Sequence, residues 1–133
     1  MTDKETLLAY RLREARETLT DAQTLLEGSG TPRTVINRSY YATFYAVLAL
    51  FVKEGTDIRT SKHAGVIALF NKEFVHTGRI AVEYSRTLQR LFDARQESDY
   101  KEFVENTKDE ARKFFDMAEA FLAEIERFSA AVG

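Results

Sequence analysis

Residues 36–50 read INRSYYATFYAVLAL, and this stretch decides what the chain builds. Placed at about 100° per residue, Ile36, Tyr40, Thr43, Phe44, Val47 and Phe51 fall on one face of a helix. Arg38, Tyr41 and Tyr45 gather on a second face, with Thr34 and Val52 nearby. Ala42, Ala46 and Ala49 fill much of the remainder. A helix that is apolar or aromatic nearly all round is enclosed by protein. Its second face therefore meets a neighbouring helix, a partner or a ligand pocket. A guanidinium enclosed there alone is costly, so Arg38 needs a carboxylate, carbonyls or a bound anion. A structural arginine–carboxylate pair, with the phenols bonded to backbone, meets the same need without any ligand.

Outward from this helix the pattern stays helical. Leu8, Leu12, Ala15, Leu19, Ala22 and Leu26 recur at spacings of three and four, which predicts a helix over residues 3–27. GSGT is the turn after it, and Thr31 and Pro32 suit an N-cap and a first helical position. The second helix is expected to end at about residue 53, before Gly55. A third is expected from 61 to 77 or 78, and a fourth over 79–94. A fifth, capped by Ser98 or Asp99, carries Phe103, Thr107, Ala111, Phe114, Ala118, Phe121, Ile125 and Phe128. No useful strand alternation and no internal repeat occur. The expected fold is one all-α domain over residues 1–133, an up-and-down bundle of about five helices.

Composition agrees. One Pro and six Gly in 133 residues leave few breaks, which favours long helices over a many-turned β architecture. The absence of cysteine rules out disulfides, redox motifs and thiolate metal sites. With no HExxH and no glycine-rich phosphate loop, neither a metal nor a cofactor is expected. His63 and His76 are the only histidines, and His76 suits a helix C-terminus better than a ligand role. The N-terminus lacks the apolar core of a signal peptide. The run over 40–52 is interrupted by Thr43 and is shorter than a bilayer span. A cytoplasmic protein without a membrane segment is the expectation.

The net charge of −2 hides an asymmetry: residues 31–96 hold ten Lys/Arg against five Asp/Glu, and residues 97–133 hold five against ten. A basic middle suits an anion handled locally, although solvated helix faces give the same count. RTSKHAGV, residues 59–66, puts Arg59, Lys62 and His63 at a helix start, where free N–H groups favour anions. The dipole there disfavours protonated His63. A capped helix start whose histidine packs locally is the plain alternative. Along the fourth helix Ile80, Tyr84, Leu88 and Leu91 form a stripe on which Arg95 comes next, beside Asp99 and Tyr100. An Arg95–Asp99 salt bridge that locks a corner explains them equally well.

Taken in order, INRSYYATFYAVLAL, TSKHAGVIALFNKEFVHTG and LFDARQESDY resemble the small HEPN-domain proteins of bacteria and archaea, over nearly the whole chain. The R-x-Y-Y-A-x-F-Y-A core and the KH-x-G-V-I start are the more specific parts. The resemblance implies a bundle similar to the substrate-binding domains of kanamycin-type nucleotidyltransferases, commonly as a homodimer. It also implies a minimal nucleotidyltransferase encoded alongside, in many cases as a toxin–antitoxin pair. Many such proteins are metal-independent endoribonucleases that use an arginine followed after four to six residues by a histidine, contributed twice across a dimer. Arg95 matches the arginine, but no histidine follows in that window, and Tyr100 takes the shortest-spaced slot. Near pH 7 a tyrosine is a poor general base. Some antitoxin partners adenylylate a tyrosine just after the histidine, and Tyr100 resembles that acceptor.

Two functions follow. The first is a module that binds a nucleotide or a nucleotidyltransferase partner through Arg38, Tyr41, Tyr45, Arg59, Lys62, His63 and Arg95. The second is a ribonuclease toxin acting on RNA through Arg95, with Tyr100 or His63 moving protons.

Overall fold

Thr2 accepts a hydrogen bond from the Glu5 N–H at 3.1 Å, and the Glu5 carboxylate accepts one from the Thr2 N–H at 3.2 Å. This reciprocal cap starts α1, Asp3–Glu27, in a computed structural model that describes residues 1–100 and 105–130. Thr31 caps α2, Pro32–Glu54, through the Thr34 N–H, and Pro32 donates nothing at a position where no intrahelical acceptor exists. Gly55, at φ 66°, closes α2 in the left-handed conformation that glycine adopts without strain. Next come α3, His63–Phe70, a π-helical turn over Asn71–Val75, α4, Val82–Tyr100, and α5, Lys108–Ala130.

Several expected boundaries move. The third helix starts at His63 because the Thr60 hydroxyl turns back to accept from the Lys62 N–H. The fourth starts at Val82, since Ile80 N–H bonds back to the Phe74 carbonyl at 2.9 Å and holds the preceding residues in a turn. It then runs past residue 94 to Tyr100. Ser98 and Asp99 are thus helical and cap nothing. Ser98 is buried and accepts from Asn106, while Asp99 is engaged by Arg95 and Asn37. Thr107 caps α5 instead, in a reciprocal pair with Glu110. Phe103, expected on the fifth helix, lies outside the described residues.

α2 is the hub and packs against α1, α4 and α5. Two long helices joined by a four-residue turn must run antiparallel to touch along their length, as α1 and α2 do. Tyr40, Leu50, Phe51, Phe70, Phe74 and Phe121 are fully enclosed. As a whole α2 is long and apolar enough to cross a bilayer, although the run over 40–52 alone is not; most of that apolar length is covered by the other helices. At the rim, Arg16 of α1 ties down α5 by ion pairs to Glu119, at 2.8 Å, and to Glu126.

Leu50 tests the hub. Truncation to alanine should cost about 2–5 kcal/mol, because a fully enclosed site loses both transfer energy and contacts around the void. Urea unfolding checks this, with a lowered midpoint and unchanged slope as the expected result.

Candidate functional site

The second face of α2 lies against the C-terminal end of α4 and the first residue of α3. Arg95 follows the buried Leu88 and Leu91 on the inward stripe of α4, so its guanidinium enters at the edge of the core, 14% exposed. Its Nε donates to Asp99 at 3.0 Å, and one terminal nitrogen donates to the hydroxyls of Tyr41, at 3.0 Å, and Tyr100, at 3.2 Å. Its Cζ stands 5.3 Å from the ring centres of both tyrosines. Arg95 is therefore held by its own chain, and the Arg95–Asp99 pair is formed within one helix.

Arg38 is held differently. Its Nε and a terminal nitrogen donate to the same oxygen, Asn37 Oδ1, at 3.1 and 2.8 Å, and its Cζ lies 5.1 Å from the Tyr41 ring centre. Among the described residues no carboxylate pairs with it. The amide nitrogen of Asn37 donates in turn to Asp99 at 3.2 Å. One continuous chain of contacts thus runs Arg38–Asn37–Asp99–Arg95–Tyr41, with Tyr100 attached. Beside it opens a hollow of about 370 Å³ lined by Arg33, Thr34, Asn37 and Asp99.

His63 sits behind the tyrosines. Its ring stacks on Phe44 at 4.0 Å and 15°, and Tyr41 meets it edge-on at 5.7 Å. The Tyr40 hydroxyl is 2.7 Å from Nδ1. Burial, and then the charge of Arg95, hold His63 below its ordinary pKa of 6.5. Burial pushes the Tyr40 phenol well above its usual range, so it keeps its proton. Neutral His63 carries one ring proton, on Nε2 where Tyr40 donates to Nδ1 and on Nδ1 where the Tyr40 oxygen accepts. Gly65 lets this corner form, because a Cβ there would stand 2.6 Å from the Thr60 side chain.

Arg38, Tyr41, His63, Arg95 and Tyr100 are thus brought together from three helices. Tyr45 stands one turn along α2, its ring 5.9 Å from that of Tyr41, and burial followed by Glu14 raises its phenol. Arg59 and Lys62 do not join this group. Arg59 is 88% exposed, pairs with Asp57 at 2.8 Å, and lines a separate hollow of about 460 Å³ with Gly65 and Lys72. Lys62 is exposed at the start of α3. Three participants escaped the sequence reading: Asn37, and Tyr40 and Phe44, which look like plain core residues. A core tyrosine does signal a polar partner, because a buried hydroxyl seeks one. Nothing in the spacing points to Asn37. Among the described residues no group of three or more acidic or histidine side chains is placed to hold a metal ion.

A family model for the HEPN domain matches residues 8–128. A UPF0332 protein of Thermotoga maritima is 41% identical over 127 residues, covering 96% of this chain and 94% of that protein. Two proteins of Methanocaldococcus jannaschii are also similar. "Putative toxin MJ0605" is 33% identical over 85% of this chain and 81% of its own length. "Putative toxin MJ0142" is 32% identical over 70% of this chain and 62% of its own length.

The depressed pKa of His63 has a defined sign. Between its folded value and its unfolded value the unfolded chain binds more protons, so stability rises with pH across that window. The contribution is complete above about 6.5 and is lost as pH falls through the folded value. In Arg95→Gln the titration of the His63 ring, followed by NMR, should move up towards 6.5 without reaching it, because burial, the larger cause, remains. An unmoved midpoint would mean that the arginine and the imidazole are not coupled.

Proposed function

The chain belongs to the HEPN-domain family, and on that premise we propose that it is a nucleotide-binding module of a toxin-related pair, acting as a homodimer beside a nucleotidyltransferase partner. Arg38 carries this reading. It is a half-buried guanidinium fixed in direction by a neutral amide and an aromatic face, with no acidic partner among the described residues. Such a group is costly to keep and suited to a phosphate brought from outside. Tyr41 and Tyr45 offer ring faces to a base one turn apart. Arg95 holds Tyr41 in place from behind, and its own charge is already matched by Asp99. His63 backs the tyrosines, while Arg59 and Lys62 stand apart from this cleft. A chain without cysteine suits a cytoplasmic setting.

A second reading is favoured by one observation: His63 and Arg95, distant in sequence, meet the same tyrosines. In a ribonuclease, neutral His63, in the tautomer whose Nδ1–H donates to Tyr40 and whose Nε2 is free, would take the proton of an RNA 2′-hydroxyl as that oxygen attacks the adjacent phosphorus. Arg95 would stabilise the phosphorane, and the Tyr100 hydroxyl would protonate the departing 5′-oxygen. The absent histidine after Arg95 and the engagement of Arg95 by Asp99 place this reading second.

Thermal unfolding with ADP separates the two. ADP at a hundred times its dissociation constant should stabilise the wild type by about 2.7 kcal/mol, and Arg38→Ala should lose that shift while keeping its own unfolding temperature. No shift at millimolar ADP would count against the nucleotide reading. Incubation of single-stranded RNA with pure protein and EDTA should leave the RNA intact. Cleavage that Arg95→Ala abolishes would establish the second reading instead.

A further inference from the structure

Asn37 occupies a position that neither functional reading assigns. Its carbonyl oxygen accepts from two nitrogens of Arg38, and its amide nitrogen donates to the carboxylate oxygen of Asp99 that also accepts from Arg95 Nε. We propose that Asn37 is a positioning residue: it fixes the direction of Arg38 relative to Arg95 while leaving the charge of Arg38 unmatched, so that Arg38 is presented to a phosphate-bearing ligand. This deepens the nucleotide-binding reading and rests on it for the ligand.

The chemistry of the amide is specific to the task. Arg38 needs an acceptor to hold it, and Asp99 Oδ2 takes a second donor beside Arg95 Nε. Only a side chain with both fits between them. Aspartate would supply the acceptor and lose the donor. It would also give Arg38 a formal ion pair that competes with a phosphate, and it would set two carboxylates against each other. Leucine or alanine would leave both charged neighbours without this contact. The Asn37–Asp99 contact crosses from α2 to α4 beside the hollow that Arg33 and Thr34 also line, so a ligand entering there meets Asn37 directly.

The test has a part that needs no ligand. The Nε–H signals of Arg38 and Arg95, assigned with Arg38→Lys and Arg95→Lys, report how firmly each guanidinium is held. Asn37→Ala should shift and broaden both signals, although of the two arginines residue 37 bonds only to Arg38 and reaches Arg95 through Asp99. Asn37→Asp should keep the Arg38 signal sharp and disturb that of Arg95. Thr34→Ala, which alters the same hollow, should disturb neither. ADP affinity should fall about tenfold in Asn37→Ala and further in Asn37→Asp, at unfolding temperatures close to wild type without ligand, and Asn37→Gln should recover part of the loss. An Arg95 signal unmoved by Asn37→Ala overturns the proposal whatever ADP does. Should both signals respond while wild type binds no ADP, the positioning role stands and the nucleotide reading falls.

Discussion

Everything in this bundle depends on α2 having no face to give to water. Helices α1, α5 and α4 all pack on it, and its alanines at 42, 46 and 49 are fully buried. A helix so placed can carry polar groups only where each finds a partner, because an unsatisfied buried group costs about 1–3 kcal/mol. The hydroxyl of Tyr40 finds His63, that of Thr43 finds the Tyr40 carbonyl, and that of Tyr41 finds Arg95. Ser39 is the exception on α2, buried with no partner for its hydroxyl among the described residues. The site is the place where this requirement for partners runs out to the surface of the bundle.

The electrostatics follow from the same enclosure. Arg95 is close enough to the core to depress His63 from the far side of two tyrosine rings, which exposed charges at comparable separation would not do through water. Its pairing with Asp99 keeps that arginine affordable at 14% exposure. Arg38 is at the edge, half-buried, and among the described residues an amide and a ring hold it and no acid does. The two guanidinium groups differ in role because they differ in depth.

That difference is what spacing could not express. The stripes of α1 and α2 were legible, since a period of three and four is imposed by burial on one side, and Thr31, Pro32 and Gly55 mark their ends by local backbone chemistry. The end of α4 was misleading for the converse reason. Ser98 and Asp99 have the side chains of N-caps, but tertiary partners claimed both, and the helix ran through them. Arg38, Tyr41, Arg95 and Tyr100 were legible as polar groups on greasy helices. Asn37 was not, because its importance lies in joining α2 to α4, a relation between elements that no single helix wheel contains. Arg59 and Lys62 carry charge at a helix start, yet Arg59 lines a separate hollow and Lys62 is exposed, while the His63 ring beside them stacks on Phe44.

The geometry also bears on what a tyrosine at position 100 means. A histidine there would bring a second titratable ring beside Arg95, and the guanidinium would hold it neutral, as it helps to do for His63. A phenol takes the opposite part: its oxygen accepts from Arg95 and leaves the base function vacant. Tyr100 is 69% exposed, so this bond anchors a side chain that otherwise faces solvent. The substitution therefore converts a position suited to proton transfer into one that extends the hydrogen-bonded cradle around Arg95. His63 lies behind Tyr40 and Tyr41, and the hollow beside the chain of contacts is lined by Arg33, Thr34, Asn37 and Asp99.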